Sequence, residues 1–429
     1  MRLKKNANKW LSDQAIERHK YQEGIVELCV CLVGGCGICP ESAVKVVQHL
    51  NERLHLELEE IPCKNSIRGW VKKSGYYTYT HSELKSSKTP YAVIIDESMQ
   101  IGTEKLLLSL GVPEAKTNKT ALKINEVEVL DISVEKNWNG ELISGKLKEI
   151  GTKMGDSPGY VISDNASIMK KGIRKSSLIH LPDVGHTLAM FLERQYKESP
   201  DFLLLMKALA KVKNREIMRP VAYLLPPKQR IIARFMNLTP CLEWAEKMLL
   251  HFKRLSKEEQ RIFKFLKNHR LLVKELNQII NVFNHISKTM KEKGLSRESV
   301  DVSIRELLPL VESPFPRIAQ AVKECMNYLQ EQAAKLSTQK SVWHISSDIL
   351  ESIFGVYKER KSPNRLNGVT SQVLMLPLLT KSCPERGCIN VDFKEALERV
   401  FLRDIDRWTI DNLSENLSVK RRHKLNMAS

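Results

Sequence analysis

The chain has 429 residues, 42% apolar and 28% charged, a composition that suits a soluble globular protein of two or three domains. No window approaches 18 uninterrupted apolar residues, which argues against a membrane span, and the basic start Met1–Trp10 lacks the apolar core of a secretion signal. Nine cysteines, an odd count without such a signal, fit reduced thiols in a cytosol-like compartment better than a disulfide framework. The net charge of +18 is unevenly spread, with +12 in residues 201–340 and +4 in residues 1–90, and such a block suits a polyanion, most simply nucleic acid.

In chain order, Pro40-Glu41-Ser42 opens a helix over Ala43–Arg53 with Val44, Val46, Val47 and Leu50 on or near one face. A second short helix, Ile67–Lys73, is capped by Asn65 or Ser66 and stopped at Ser74-Gly75. The pair has the outline of a helix-turn-helix reader, with Asn65, Ser66, Arg68, Lys72 and Lys73 as the expected DNA-contact surface. The polar stretch His81–Pro90 reads as a linker. Tyr91–Ile95 is a short β-branched run typical of a buried strand, and Ala121–Glu126 and Val127–Val134 are further strand candidates. An amphipathic helix follows over Glu141–Lys153, then a buried strand over Tyr160–Ser163, so the pattern is that of an α/β layer. From Leu188 to Lys340 the periodicity is almost wholly helical, with breaks at Pro226-Pro227, Pro240, Gly294 and Pro314–Pro316. A helical segment Ser346–Lys358, a loop over residues 363–370 and a basic tail expected to be disordered around Lys420–Lys424 complete the chain.

Asp96 directly follows the first strand run and Asp164 follows Tyr160–Ser163. Carboxylates at the C-terminal ends of neighbouring strands converge on one sheet edge, and hard divalent cations take such oxygen ligands. A pair of metal sites needs a third carboxylate, and Glu351 on HISSDILESIFGVYKERK is the candidate. Lys358, seven residues on, lies two turns along the same helical face, where it could hold a phosphate. Glu97 and Asp348, beside these positions, read as solvated or capping carboxylates.

These residues and their contexts, YAVIIDES, YVISDNAS and SSDILESIFGVYKE, resemble the DDE transposases, whose catalytic core is RNase H-like. Asp183 and His186 in HLPDVGHTLAMFLE resemble the C/D-x-x-H signature of transposases with a helical insertion, the hAT type among them. The 187 residues between Asp164 and Glu351 are far too many for a plain core and contain the basic helical block. The N-terminus departs from the hAT pattern: it has no two-Cys, two-His finger and looks like the helix-turn-helix start of bacterial insertion-sequence transposases.

The resemblance implies an RNase H-like mixed sheet interrupted by a large all-α insertion and preceded by a small helical DNA-binding domain. The expected divisions are 1–80, a linker 81–90, core 91–187, insertion 188–340, the rest of the core 341–380 and a tail 381–429. It also implies that Asp96, Asp164 and Glu351 hold two Mg²⁺, with Mn²⁺ able to substitute, and that Asp183 and His186 brace the site. The expected partners are double-stranded DNA, both element ends and target, and a second copy or more of the chain in a synaptic complex, in the cytoplasm at a bacterial nucleoid, with no membrane. Rival readings are a structure-specific nuclease or resolvase on the same core, and a catalytically idle DNA-binding regulator.

Cys29, Cys31, Cys36 and Cys39 form a C-x-C-x4-C-x-x-C run whose thiolates could bind zinc, although the apolar ELCVCLVGGCGICPE context favours core thiols. Cys383 and Cys388 flank a Pro-Glu-Arg-Gly turn with no nearby pair to join them, so zinc is expected there even less. Trp244 could stack on an unpaired base, but a core role is the expectation, and His180 reads as a core or strand residue.

Overall fold

A computed structural model describes residues 15–427 apart from 55–57, 99, 229–233, 362, 363, 365 and 384. The basic segment Met1–Trp10 lies outside the described residues. The chain divides into two compact units, one holding residues up to 114, 122–180 and 347 onwards, the other 115–121 and 181–346. Among the described residues no helix is long and apolar enough to cross a membrane.

The first unit begins with helices α1 (Glu23–Val30), α2 (Pro40–Leu54), α3 (Lys64–Thr80) and α4 (Glu83–Ser87). Helix α3 runs through the expected stop at Gly75, which is buried mid-helix. Gly75 is there for space: a Cβ would overlap the carbonyl oxygen of Leu374, which packs on this face. The expected linker holds α4, whose first turn is capped by Ser82 accepting from the Lys85 N–H at 3.1 Å.

Strand β1 (Tyr91–Glu97) pairs antiparallel with β2 (Lys105–Pro113), and β2 pairs antiparallel with β3 (Glu128–Glu135). Residues 124–126, expected in a strand, form a short 3-10 turn instead. Asn139 caps α5 (Gly140–Met154), its Oδ1 accepting from the N–H groups of Glu141 and Leu142 at 2.9 and 3.0 Å. Then come β4 (Val161–Ser163), parallel to β1, helix α6 (Ser167–Lys175) and β5 (His180–Pro182). The mixed sheet has the order β3-β2-β1-β4-β5. One face is sealed by α5 and α6: Val93, Ile95 and Val161 pack with Ile143, Leu147, Met169 and Ile173. The fold class is therefore α/β, with most of the chain helical.

The second unit is built from α7 (Val184–Tyr196), α8 (Pro200–Glu216), α9 (Thr239–Leu250), α10 (Lys257–Phe263), α11 (Phe265–Asn268), α12 (Arg270–Lys293), α13 (Arg297–Val311) and α14 (Pro316–Ala333). Two of the sequence breaks are helix starts, because Pro240 and Pro316 sit in the first turns of α9 and α14, where the missing N–H costs nothing. The long α12 buries a stripe including Leu276, Ile279, Ile280, Phe283 and Ile286. Its buried Glu275 is neutralised by Arg317, at 2.7 Å, which also forks onto Asp201 at 2.9 Å. Arg317 holds the Asp201 carboxyl down at about 2.

The chain then returns to the first unit with α15 (Asp348–Arg360), α16 (Met375–Thr380), the hairpin β6 (Ser382–Cys383) and β7 (Cys388–Ile389), α17 (Phe393–Arg399), α18 (Leu402–Asn412) and α19 (Leu417–Asn426). Residues 420–424, expected to be disordered, lie inside α19. Helices α16, α17 and α18 pack on α3, so these early and late helices share one core.

Candidate active site

Strand parity and register set the site. Val93 stands opposite Val161 and Ile94 opposite Ile162 in the parallel pair; Asp96 lies two residues past Ile94 in β1, and Asp164 directly follows the end of β4. Adjacent strands lie about 4.8 Å apart, so the C-terminal ends of β1 and β4 share one sheet edge. Because side chains alternate along a strand, Asp96 lies on the face opposite Val93 and Ile95, away from α5 and α6. Helix α15 packs on β1, burying Ile349, Leu350, Ile353, Phe354 and Tyr357 while Glu351 stays exposed.

Lys358 ties these pieces together. Burial lowers its ammonium pKa, and the carboxylates of Asp96 and Glu351 oppose that shift, so both stand within electrostatic reach of it. Its Nζ lies 5.7 Å from the centroid of the Phe354 ring. One oxygen of Asp164, Oδ1, accepts from the Ala166 N–H at 3.0 Å and holds the turn into α6. Ser163 Oγ, one residue before, lies 2.9 Å from His180 Nε2. Glu97, on the other face, pairs with Lys105 of β2 at 2.8 Å.

Carboxylates at neighbouring strand ends are oxygen donors of the kind a hard divalent cation takes. Among the described residues, no three His, Cys, Asp or Glu side chains already stand together as a metal site. The structure thus sets Asp96 near the end of β1 and Asp164 just after the neighbouring β4, and places Glu351 and Lys358 on the helix that packs on β1.

The residues expected to touch DNA separate into two sets. Asn65 and Arg68 are exposed and Ser66 half-buried on the first turns of α3, with Arg68 bonded to Glu41 at 2.7 Å. The N-cap position is Cys63, whose Sγ lies 3.4 Å from Ser66 Oγ, rather than Asn65 or Ser66. Lys72 and Lys73 are half-buried, and burial lowers the pKa of both while Asp406 and Asp404 of α18 oppose that shift on Lys72 and Lys73 respectively. Lys73 Nζ lies 3.5 Å from His19 Nε2. Arg68 and Lys72 line a cleft of about 630 Å³ together with Arg360 and Lys361, at the end of the helix that carries Glu351 and Lys358. Glu41 and Glu359 also line it, leaving a basic excess.

In the second unit the buried Asp183 caps α7, its Oδ1 accepting from the His186 N–H at 2.7 Å. Tyr328 adds a bond from its hydroxyl to the Pro182 carbonyl at 2.7 Å, so the Asp-x-x-His segment is a fixed helix start. Trp244 is a packing residue: its Nε1 donates to the Leu224 carbonyl at 2.9 Å and its ring meets Phe263 edge-on. His344, not singled out in the sequence, is buried with Lys116 as its charged neighbour, and burial pushes it down to about 4.

Sequence reasoning also missed an association of thiols in the first unit. Cys29 is buried core, as its context suggests. Cys31 and Cys36, however, border the turn that packs against the hairpin of Cys383 and Cys388. The signal was the equal spacing, four residues inside each pair.

No known family model matches this chain, and no curated protein sequence matches it significantly.

Proposed function

We propose that the protein is a DNA transposase whose RNase H-like core carries the triad Asp96, Asp164 and Glu351. The observation that carries this reading is the parallel pairing of β1 with β4, the strands that lead to Asp96 and Asp164, with α15, which bears Glu351 and Lys358, packed on β1. The mixed sheet, with a three-strand antiparallel meander and a fourth strand returning parallel to the first, is compatible with such a core. In this reading residues 188–340 are a helical insertion, and their charge serves DNA.

Asp96 and Asp164 would hold divalent cations from below and Glu351 from α15. A bound pair of Mg²⁺, or Mn²⁺, would supply Lewis-acid polarisation of a phosphodiester and a nucleophile at neutral pH. Lys358 would grip the non-bridging phosphate oxygens and orient the scissile bond for in-line displacement. Arg68, Lys72 and Lys361 would carry the backbone away through the basic cleft, with Asn65 and Ser66 reading base edges. Two displacements at phosphorus follow: hydrolysis at the element end, then attack of the freed 3′-hydroxyl on target DNA. Joining two ends calls for a homodimer or larger assembly, working where the chromosome lies in a bacterial cytoplasm.

The test is cleavage of labelled DNA from either side of the gene, comparing wild type with Glu351→Gln in Mg²⁺, Mn²⁺ or chelator. Metal-dependent nicking at one discrete position, lost in the variant, supports the reading. Cutting without strand joining would replace it with a nuclease or resolvase, and binding without cutting in any metal with a regulator.

A further inference from the structure

We propose that Cys31, Cys36, Cys383 and Cys388 form a tetrathiolate site for one Zn²⁺, separate from the carboxylate edge. The two pairs are far apart in sequence but meet in the first unit. Cys31 opens a π-type turn, Cys31–Gly35, and Cys36 follows it directly. Cys383 and Cys388 face each other across the β6–β7 hairpin. The hairpin and the turn pack together: the Ile389 N–H donates to Cys31 Sγ at 3.3 Å, and Cys36 Sγ lies 3.8 Å from the Gly387 carbonyl oxygen.

The backbone is shaped for that approach. Gly387 takes a positive φ of 62°, and a Cβ there would stand 3.2 Å from Cys36 Sγ. A Cβ on Gly35 would run into the Gly387 carbonyl. Glycines at both contact points let the two turns nest, which brings one cysteine pair over the other. Two pairs of thiolates on two tight turns are the donor set of a closed tetrahedral zinc site, with Zn–S bonds of about 2.3 Å. Among the described residues no three His, Cys, Asp or Glu side chains already stand together as a metal site, so binding would draw these sulfurs inward.

Binding one Zn²⁺ by four thiols releases four protons and leaves the site with two negative charges. Compensation is in place. The Ile389 N–H already points at Cys31 sulfur, and the Arg360 guanidinium is anchored beside Cys36 by the carbonyls of Val33 and Gly34 at 3.1 and 2.9 Å. Cys39 is excluded from the set because its Sγ is taken by Ser42 Oγ at 3.1 Å.

The test uses the full chain, purified under reducing conditions from zinc-supplemented medium, with elemental analysis of bound metal. Cobalt substitution follows, read by thiolate-to-metal charge transfer and tetrahedral d–d bands. The expected result is about one zinc per chain and a tetrathiolate cobalt spectrum. Cys36→Ser and Cys388→Ser should lose most of the metal, while Cys39→Ser and Cys63→Ser keep it. If the ligand variants fail to fold, the wild-type cobalt spectrum and the retained metal of Cys39→Ser still decide. A metal-free wild type, iron in place of zinc, a Cys383–Cys388 disulfide in the reduced preparation, or loss of metal on changing Cys39 would each overturn the proposal.

Discussion

The edge carrying Asp96 and Asp164 and the basic face of α3 were both read from local periodicity, yet they came out differently. At the sheet edge, alternation decides which face each residue takes, and parallel register does the rest. On α3, periodicity groups Arg68, Lys72 and Lys73 but cannot say what lies over them. The covering element is α18, more than three hundred residues later, and it turns Lys73 towards His19 and Asp404. Local pattern defines a face; only the tertiary partner decides whether it stays open.

The sharpest way to break this comparison is Asp96→Asn. Under the proposed function, DNA cleavage should fall at least about a thousandfold, or about 4 kcal/mol of barrier, with circular dichroism unchanged. Full activity in that variant would remove the carboxylate edge from the chemistry. Next comes Gly75→Ala on the other side of the comparison. The added methyl has the Leu374 carbonyl in its way, so chemical denaturation should show a loss of about 2–3 kcal/mol; an unchanged midpoint would mean that α3 and residues 371–380 are not tightly packed.

A smaller effect separates the two lysine environments. Arg68→Ala should weaken DNA binding by about 1 kcal/mol and lower the salt slope by about one, whereas Lys73→Met should leave affinity within about twofold. Equal losses from both would place Lys73 back on the DNA face. The smallest is a pH effect at His19, whose pKa is lowered first by burial and then by Lys73. The folded state therefore favours neutral imidazole, and this stabilisation is complete above the ordinary value near 6.5 and lost as pH falls through the lowered folded value. Urea midpoints measured across that range should drop on acidification, and His19→Asn should flatten the curve.

Residues with strong local physics were legible. Tyr91–Ile95 is apolar and buried, the amphipathic run Glu141–Lys153 lies within α5, and α15 begins two residues from where its apolar stripe predicts. Strand β2 was not, because Leu106, Leu107, Leu108 and Leu110 are buried on both faces and show no alternation. Gly75 misled for a different reason: glycine marks a helix end in sequence, but it also marks backbone crowding, and only the packed neighbour tells the two apart. The thiol pairs were each visible, and their meeting was not, since nothing local connects residues 31–36 with 383–388.

That shared core of early and late residues has a consequence for how the protein is made. Helices α1 to α3 leave the ribosome well before α16, α17 and α18, the helices that cover α3. The helix bearing Glu351 also arrives late. A nascent or prematurely terminated chain would carry Asp96 and Asp164 without Glu351 or a closed core. Under the proposed function, the reaction would thus be withheld from any chain whose translation stopped before these helices.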